Sequence, residues 1–459
     1  MKIKLLATVL LVGSFTSQAQ NIFGSVCRGN IDQLDSLLQY HSIHVQDNRG
    51  RSLLHWAIGC KQKEVFDHLI QNGINPNLED HQNRTPMYAA VQFENAYYFE
   101  ALQNLQEDNS WVQTQGTTLL ERAILNKSNT FVQKLVAAGV DVNGKNERGS
   151  TPLEIAKRLE ADDIYTTLLA LGADEKELRT FVVKGPYMGQ QPPDSIPKLF
   201  APNFISTEES EFGSIFNSAG TEFYYAVDVN GKNEIRFSKL ANGVWSKPTT
   251  LLSNNRYGYN DPFLSNDESR LYFISKQALD GLGKLKDVDI WYVEKEKDGW
   301  SEPINAGTII NTKGNEYYIS FTQEGTLYFS SNGHQPEKTD YDIYSSKFVH
   351  GSYQKPARLG DAINTEGYEA DVFVSPDESY MIFCSTRDGG FGQGDLYISF
   401  KNPNGKWTTA INMGAEINTE NYEYCPFVTK DGKYLFFTSN QDIYWVSTGI
   451  IEKLKKNVD

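Results

Sequence analysis

Cysteine is scarce in this chain. Its 459 residues include only Cys27, Cys60, Cys384 and Cys425, and no two stand as a C-x-x-C pair. That excludes a disulfide-built scaffold and a zinc-ribbon or dithiol redox motif. Their neighbours are largely apolar, so they read as buried thiols, with a Cys27–Cys60 bridge left open. Histidine is also rare: only His334 and His350 lie beyond residue 205, which excludes a multi-histidine metal centre there. His41 and His44 share the stretch "HSIH" but have no third ligand in view. Basic residues are outnumbered, Lys+Arg 43 against Asp+Glu 58, for a net charge of −15. Nucleic acid and anionic membrane need a basic surface and are disfavoured as partners. No G-x-S-x-G occurs, and no serine or cysteine pairs with a histidine in a recognisable nucleophile motif. The glycine-rich stretch "RDGGFGQGD", Arg387 to Asp395, has no Walker lysine. A strand-like run follows it rather than the helix a phosphate loop requires, so it reads as a loop between strands.

Long apolar runs are also lacking, apart from one at the start. "MKIKLLATVLLVGSFTSQAQ" has a positive beginning at Lys2 and Lys4, an apolar stretch from Leu5 to Val12, and Ser17 and Ala19 at the spacing of a small-residue cleavage site. It reads as a secretory signal peptide over residues 1–19, too short for a membrane span. With no cysteine close behind it, a lipid anchor is not expected. The expected location is periplasmic or secreted, after cleavage near Ala19. Elsewhere the chain is that of a folded protein, 39% hydrophobic and 12% aromatic, with a mean hydropathy of −0.48. Tyr 25 and Phe 25 against Met 5 favour sheet over helix bundles in much of it.

The first part repeats. Ala57, Ala90, Ala123 and Ala156 recur at a spacing of 33 residues, as do Leu54, Met87, Leu120 and Leu153, and Ser52, Thr85, Thr118 and Thr151. The copies run through "GRSLLHWAIGCKQKEVFDHLIQNGINPN", "NRTPMYAAVQFENAYYFEALQN", "GTTLLERAILNKSNTFVQKLVAAGVDVN" and "GSTPLEIAKRLEADDIYTTLLALGAD", with a weaker first copy from Ile22. Ser or Thr caps a first helix, proline starts it, alanine lets two helices approach, and Gly73, Gly139 and Gly172 turn the chain after the second. Such a unit buries its apolar face only by stacking on the next. This pattern resembles the ankyrin repeat with its T-P-L-H-x-A signature, over residues 20–176 in about five copies. Two copies replace the proline with Leu53 and Leu119, and the histidine survives only at His55. The resemblance implies a protein-binding surface without catalytic residues. Its hairpin tips here are Asp47, Asn48, Asp80, His81, Asn146 and Glu147.

From about residue 205 the pattern changes. "EYYISFTQEGTLYFSSNGHQPEKTDYDIYSS", "EADVFVSPDESYMIFCSTRDGGFGQGDLYIS" and "EYCPFVTKDGKYLFFTSNQDIYWVS" each read as strand, tight turn, strand, loop and a third strand opened by Asp342, Asp395 or Asp442. Asp289 and Glu234 hold the same place in two further copies. A fourth strand follows, and near-identical links, "IINTKGNE", "AINTEGYE" and "EINTENYE", lead into the next copy. Units of about 50 residues with four antiparallel strands predict a β-propeller, here of five blades. The last copy stops after its third strand. Residues 177–204 read as a linker whose "PKLFAPNFISTEESE" parallels "PARLGDAINTEGYE", so it is expected to complete the last blade and close the ring. Ser375-Pro376-Asp377 with Phe383 and Ser385, and Lys430-Asp431-Gly432-Lys433 with Phe437 and Ser439, resemble the WD40-like repeat of TolB-type propellers of the bacterial envelope. That resemblance covers residues 205–459 and implies the fold, not an activity.

The expected fold class is thus multidomain, an α-helical ankyrin solenoid followed by an all-β propeller. Glu211, Glu316, Glu369 and Glu423 recur at the start of the first strand, with Tyr259 in their place in the second copy. They are candidates for a carboxylate ring at the channel mouth that binds a cation or a cationic ligand, weighed against a role as acceptors for backbone N–H groups of the links. Asp287, Asp289, Asp340 and Asp342 are candidates for calcium ligands in the same way, with turn formation the preferred role. No cofactor is expected. The function expected is that of a non-catalytic interaction scaffold with a protein partner, and peptide or glycan at the propeller. A hydrolase or lyase acting on polysaccharide at the propeller mouth is the alternative.

Overall fold

The computed structural model describes residues 22–106, 109–178, 182–229, 231–279, 283–334 and 340–456. The segment read as a signal peptide lies outside them. The chain divides into two compact units, Met1–Arg179 and Thr180–Asp459, each with its own apolar core.

The first unit is built from antiparallel helix pairs. Residues 22–27 pair with Ile31–Leu38, Leu53–Gly59 with Lys63–Gln71, Pro86–Gln92 with Ala96–Asn104, Gly116–Leu125 with Asn129–Ala137, and Pro152–Arg158 with Asp162–Ala170. The recurrent alanines 57, 90, 123 and 156 are fully buried, because a methyl is all that fits where helices cross. Thr151 caps its helix reciprocally: its hydroxyl accepts from Glu154 N–H at 3.3 Å, and Glu154 accepts from Thr151 N–H at 3.0 Å. In an earlier copy His55 takes the glutamate's role, accepting from Ser52 N–H at 3.1 Å. Its other ring nitrogen meets the Arg84 carbonyl at 2.9 Å, so the signature histidine ties one repeat to the next.

One copy departs from the expected capping. The helix of the fourth pair begins at Gly116, so Thr118 lies inside it and is not its cap. Here the sequence "SWVQTQG" replaces the usual turn, and a short helix, Ser110–Thr114, leads directly into the longer one. Trp111 fills the space beneath and is buried.

Cys27 and Cys60, one repeat apart, form a disulfide with a Cα–Cα separation of 5.1 Å, while Cys384 and Cys425 are free and buried. The bridge spans a separation of 33 residues, and closing a loop of that size is worth about 3–4 kcal/mol. Urea unfolding of a Cys27→Ser/Cys60→Ser variant is expected to show that loss in the first unit. Equal midpoints for variant and parent would refute it.

The second unit is a five-bladed β-propeller of antiparallel sheets. The first strands of the blades are Ser210–Phe216, Tyr259–Leu264, Glu316–Phe321, Glu369–Val374 and Glu423–Val428, and they touch one another in a closed cycle. They therefore line the axis. The last blade takes its outer strand from the start of the unit: Lys198–Leu199 pairs antiparallel with Asp442–Ser447, with Lys198 opposite Trp445 and Leu199 opposite Tyr444. Residues just before that strand pack against the same sheet. Tyr187 lies 4.8 Å from the Tyr434 ring and 5.6 Å from Trp445. After the last strand a helix not anticipated from the sequence, Gly449–Lys455, buries Ile450 and Ile451.

Candidate functional site

The hairpin-tip residues of the first unit fall into two kinds. Asp47 accepts from the backbone N–H groups of Arg49 and Arg51, each at 2.9 Å, and from Arg51 Nε and Trp56 Nε1. Asp80, buried, does the same with Gln82, Arg84 and the Arg84 guanidinium. Asn146 accepts from Ser150 N–H and donates to Glu121. These three tip residues hold the turn. Asn48, His81 and Glu147, one residue further along, are exposed. Beside the tips, Arg51 stacks on Trp56 at 4.5 Å, and Tyr88 sits between Arg84 and Arg122, each 5.4 Å from its ring.

The recurrent glutamates of the propeller are not an open ring of ligands. Glu211, Glu316, Glu369 and Glu423 are buried. Each accepts from the backbone N–H of the threonine four residues earlier: Thr207 at 3.0 Å, Thr312 at 3.0 Å, Thr365 at 2.7 Å and Thr419 at 2.9 Å. Ser331, Ser385 and Ser439 add hydroxyl donors to the last three. Burial pushes the Glu316 carboxyl up to about 7, against the pull of its Thr312 bonds. The links are latched a second time by asparagine. Asn364 accepts from Ile343 N–H at 2.7 Å and donates to its carbonyl at 3.0 Å, as Asn311 does with Ile290 and Asn418 with Leu396. The I-N-T…E pattern is therefore a clasp that carries the chain from one blade to the next, recurrent because blades recur.

The acids that open the third strands are held too. Asp289 is bound by Lys286 and Asn305, each at 2.9 Å, and Asp342 by Arg358 at 2.7 Å. Asp287 stands 3.5 Å from Lys286, and Asp340 is exposed. In "RDGGFGQGD" the chain wraps its own aspartate: Asp395 accepts from Phe391 N–H at 2.6 Å, Gly392 N–H at 3.0 Å and Asn412 Nδ2 at 2.6 Å. A Cβ on Gly392 would fall 2.3 Å from the carbonyls of Thr419 and Asn421, so this glycine serves close packing against the next link. The longer loops in the same place in the second and third blades fall partly outside the described residues.

What converges on the axis was not anticipated. Every first strand carries a register shift near its third residue. The residues there are Gly213, Asp261, Tyr318, Asp371 and Cys425, with φ of 51°, 52°, 43°, 53° and 51°. A left-handed residue in a bulge redirects its side chain, at a cost of roughly 1–3 kcal/mol where it is not glycine. One ligand atom each from Asp261, Asp371 and Cys425 lies within 4.8 Å of the others. Cys425 Sγ donates to Asp261 Oδ1 at 3.4 Å, and Tyr318 Oη donates to the Pro426 carbonyl at 2.9 Å. Burial pushes the Asp261 carboxyl up to about 6 and raises Asp371 well above its ordinary value.

Tyrosines gather where the innermost strands begin. Tyr317 packs on Tyr341 at 5.1 Å, Tyr341 on Tyr368 at 5.3 Å, Tyr422 on Tyr424 at 5.4 Å and Tyr257 on Tyr259 at 5.7 Å. The signal for this site was present in the repeats. Two residues after each recurrent glutamate or its counterpart, aligned copies read Gly, Asp, Tyr, Asp and Cys, and such a break in a repeat's chemistry is where a singular function belongs.

Comparison with known proteins bears on the first unit. A family model for ankyrin repeats (3 copies) matches residues 22–109, and another for ankyrin repeats (many copies) matches residues 102–156. An ankyrin repeat protein of Acanthamoeba polyphaga mimivirus is 26% identical over 161 residues, 34% of this chain and 21% of that protein. Human Rabankyrin-5 is 28% identical over 152 residues, 32% of this chain and 13% of its own length. Human neurogenic locus notch homolog protein 1 is 28% identical over 143 residues, 31% of this chain and 6% of that protein. The chain thus spans between 6% and 21% of the length of these relatives. The N-terminal unit is an array of ankyrin repeats, and no helix among the described residues is long and apolar enough to cross a membrane.

Proposed function

We propose that this chain is an exported, non-catalytic interaction scaffold. Its ankyrin array binds a protein partner, and the tyrosine-lined end of its propeller binds a protein, peptide or glycan segment. The observation that carries this reading is the array itself, with Asn48, His81 and Glu147 presented on tips that other residues hold rigid. Trp56 and Arg122, half-buried beside them, are residue types that dominate binding hot spots. Export is supported by the signal-like segment at the N-terminus and by the Cys27–Cys60 disulfide, a bond that persists in oxidising compartments.

The hydrolase reading draws on Asp261 and Asp371, but these are 6% and 7% exposed. Acid and base carboxylates must flank a sugar bond with access for water, so the scaffold reading fits better. The test is retention of a protein from envelope extract by the full chain and by an Asn48→Ala/His81→Ala/Glu147→Ala variant. The variant, expected to fold normally, should retain at least about tenfold less of the same protein. Equal retention would refute the tip-mediated reading. Mass measurement of the mature chain should show an N-terminus near Asn21 or Gln20, and persistence of Met1 would refute export.

A further inference from the structure

We propose that Asp261, Asp371 and Cys425, brought together from three blades at the propeller axis, bind a zinc-class divalent cation through two carboxylate oxygens and a thiolate. The site does not depend on the ankyrin array or on the scaffold reading. Three features support it.

The first is geometry. Zinc takes oxygen ligands near 2.1 Å and sulfur near 2.3 Å, so a tetrahedral site places S and O about 3.6 Å apart. The Cys425 Sγ to Asp261 Oδ1 separation is 3.4 Å, close to that edge before any metal enters. The Asp371 oxygen lies within 4.8 Å of both, so a small side-chain rotation completes a three-ligand face with the fourth position left to water.

The second is the lack of charge compensation. Asp371 is 7% exposed. Its carboxylate has no ion pair and no side-chain donor among the described residues, and its one stabilising bond is from the Cys425 backbone N–H. Asp261 has only the Cys425 thiol. One weak S–H donor and one backbone N–H do not satisfy two carboxylates in a buried space. The latch glutamates, the third-strand Asp289, Asp342 and Asp395 and the tip aspartates, by contrast, each accept from a side-chain or hydroxyl donor or from backbone N–H groups outside the axis.

The third is the space kept around the group. The corresponding residue of the first blade is Gly213, where a Cβ would fall 2.8 Å from Asp261 Oδ1. The corresponding residue of the third blade is Tyr318, whose hydroxyl is bonded away to Pro426. Of five equivalent positions, three offer ligand atoms, one forms a wall and one makes room. The thiolate selects against calcium and magnesium, which take oxygen ligands, and binding releases the Cys425 proton.

The experiment uses the full chain, stripped with a chelator and dialysed against Zn2+ alone, with metal content measured per chain. One zinc per chain is expected for the parent and for Cys384→Ser, a change at a buried thiol outside the three ligands. Cys425→Ser and Asp371→Asn should bind at least about 100-fold more weakly. With Co2+ in place of zinc, a sulfur-to-metal charge-transfer band should appear in the parent and vanish in Cys425→Ser. Should a variant fail to fold, the parent supplies the readout: Zn2+ should slow alkylation of Cys425 and leave Cys384 unchanged. Parent protein that binds no zinc, or binds it no more tightly than a folded Cys425→Ser, overturns the proposal. So does cobalt binding without the sulfur band, or an unprotected Cys425. The group would then be two carboxyls sharing a proton beside a thiol.

Discussion

Phe200→Ala is expected to cost the propeller about 3–5 kcal/mol, the range for removing a large aromatic from a packed core. Phe200 is fully buried. Its ring lies 4.9 Å from Phe436 and 5.4 Å from Trp445 in the last blade, and 6.0 Å from Phe216 and 5.2 Å from Phe223 in the first. It follows directly on the strand Lys198–Leu199 that completes the last sheet, so one side chain bonds the closing segment to both blades it must join. Its N–H also donates to the Ile443 carbonyl at 2.8 Å. In a propeller the blades pack on both neighbours only while the ring is closed, leaving short, protected sheet edges at the rim. Losing Phe200 therefore weakens closure as well as packing. Denaturant unfolding followed by tryptophan fluorescence measures the loss. Phe391→Ala is the control, because Phe391 is 52% exposed and its removal should change stability by no more than about 0.5 kcal/mol. Equal costs for the two would refute this account of ring closure.

Glu369→Ala should cost a similar amount, about 3–5 kcal/mol. Glu369 is fully buried. It accepts from Thr365 N–H and hydroxyl, each at 2.7 Å, from Ser385 Oγ at 2.8 Å, and from Arg387 Nη2 at 3.3 Å. Alanine would leave those donors without an acceptor, and unmade buried hydrogen bonds are costlier than made ones are favourable. The Arg387 guanidinium, 4.6 Å above the Tyr397 ring, would keep its bond to the Ile363 carbonyl at 2.7 Å and lose its carboxylate. Glu369→Gln keeps one acceptor and should lose less. The two roles weighed for this residue separate cleanly. A latch loses stability on substitution, whereas a channel-mouth ligand would lose binding and keep the fold. Thermal unfolding of the two variants that matched the parent would refute the latch.

Much of the architecture was readable in advance because repeats report their own geometry. The spacing of Ala57, Ala90, Ala123 and Ala156 placed four helix crossings, and all four alanines are buried. The Ser375-Pro376-Asp377 turn lies between Glu369–Val374 and Tyr380–Ser385, and blade starts at Glu316, Glu369 and Glu423 coincide with strand starts. Repeat spacing misleads where a copy is aligned but not alike. Thr118 keeps the spacing of a cap, yet the run "SWVQTQG" favours helix ahead of it, so the cap position moved. Recurrence also made Glu211, Glu316, Glu369 and Glu423 conspicuous as carboxylates while hiding what they bond. A carboxylate that recurs with Thr four residues before it is a latch, and the two features are informative only together.

The sequence by itself determined the period, the class of each unit and the residues that clasp one copy to the next, because these depend on local chemistry repeated at fixed spacing. Only the tertiary structure decided what meets at the axis. Asp261, Asp371 and Cys425 are separated by 164 residues between the first and the last, and no local rule relates them. They meet because five copies of one bulge, each with a left-handed residue, are wound into a closed ring and aim their third residues at a common centre. The same closure turned an isolated Lys198–Leu199 into the last strand of a blade whose other strands lie at the far end of the chain.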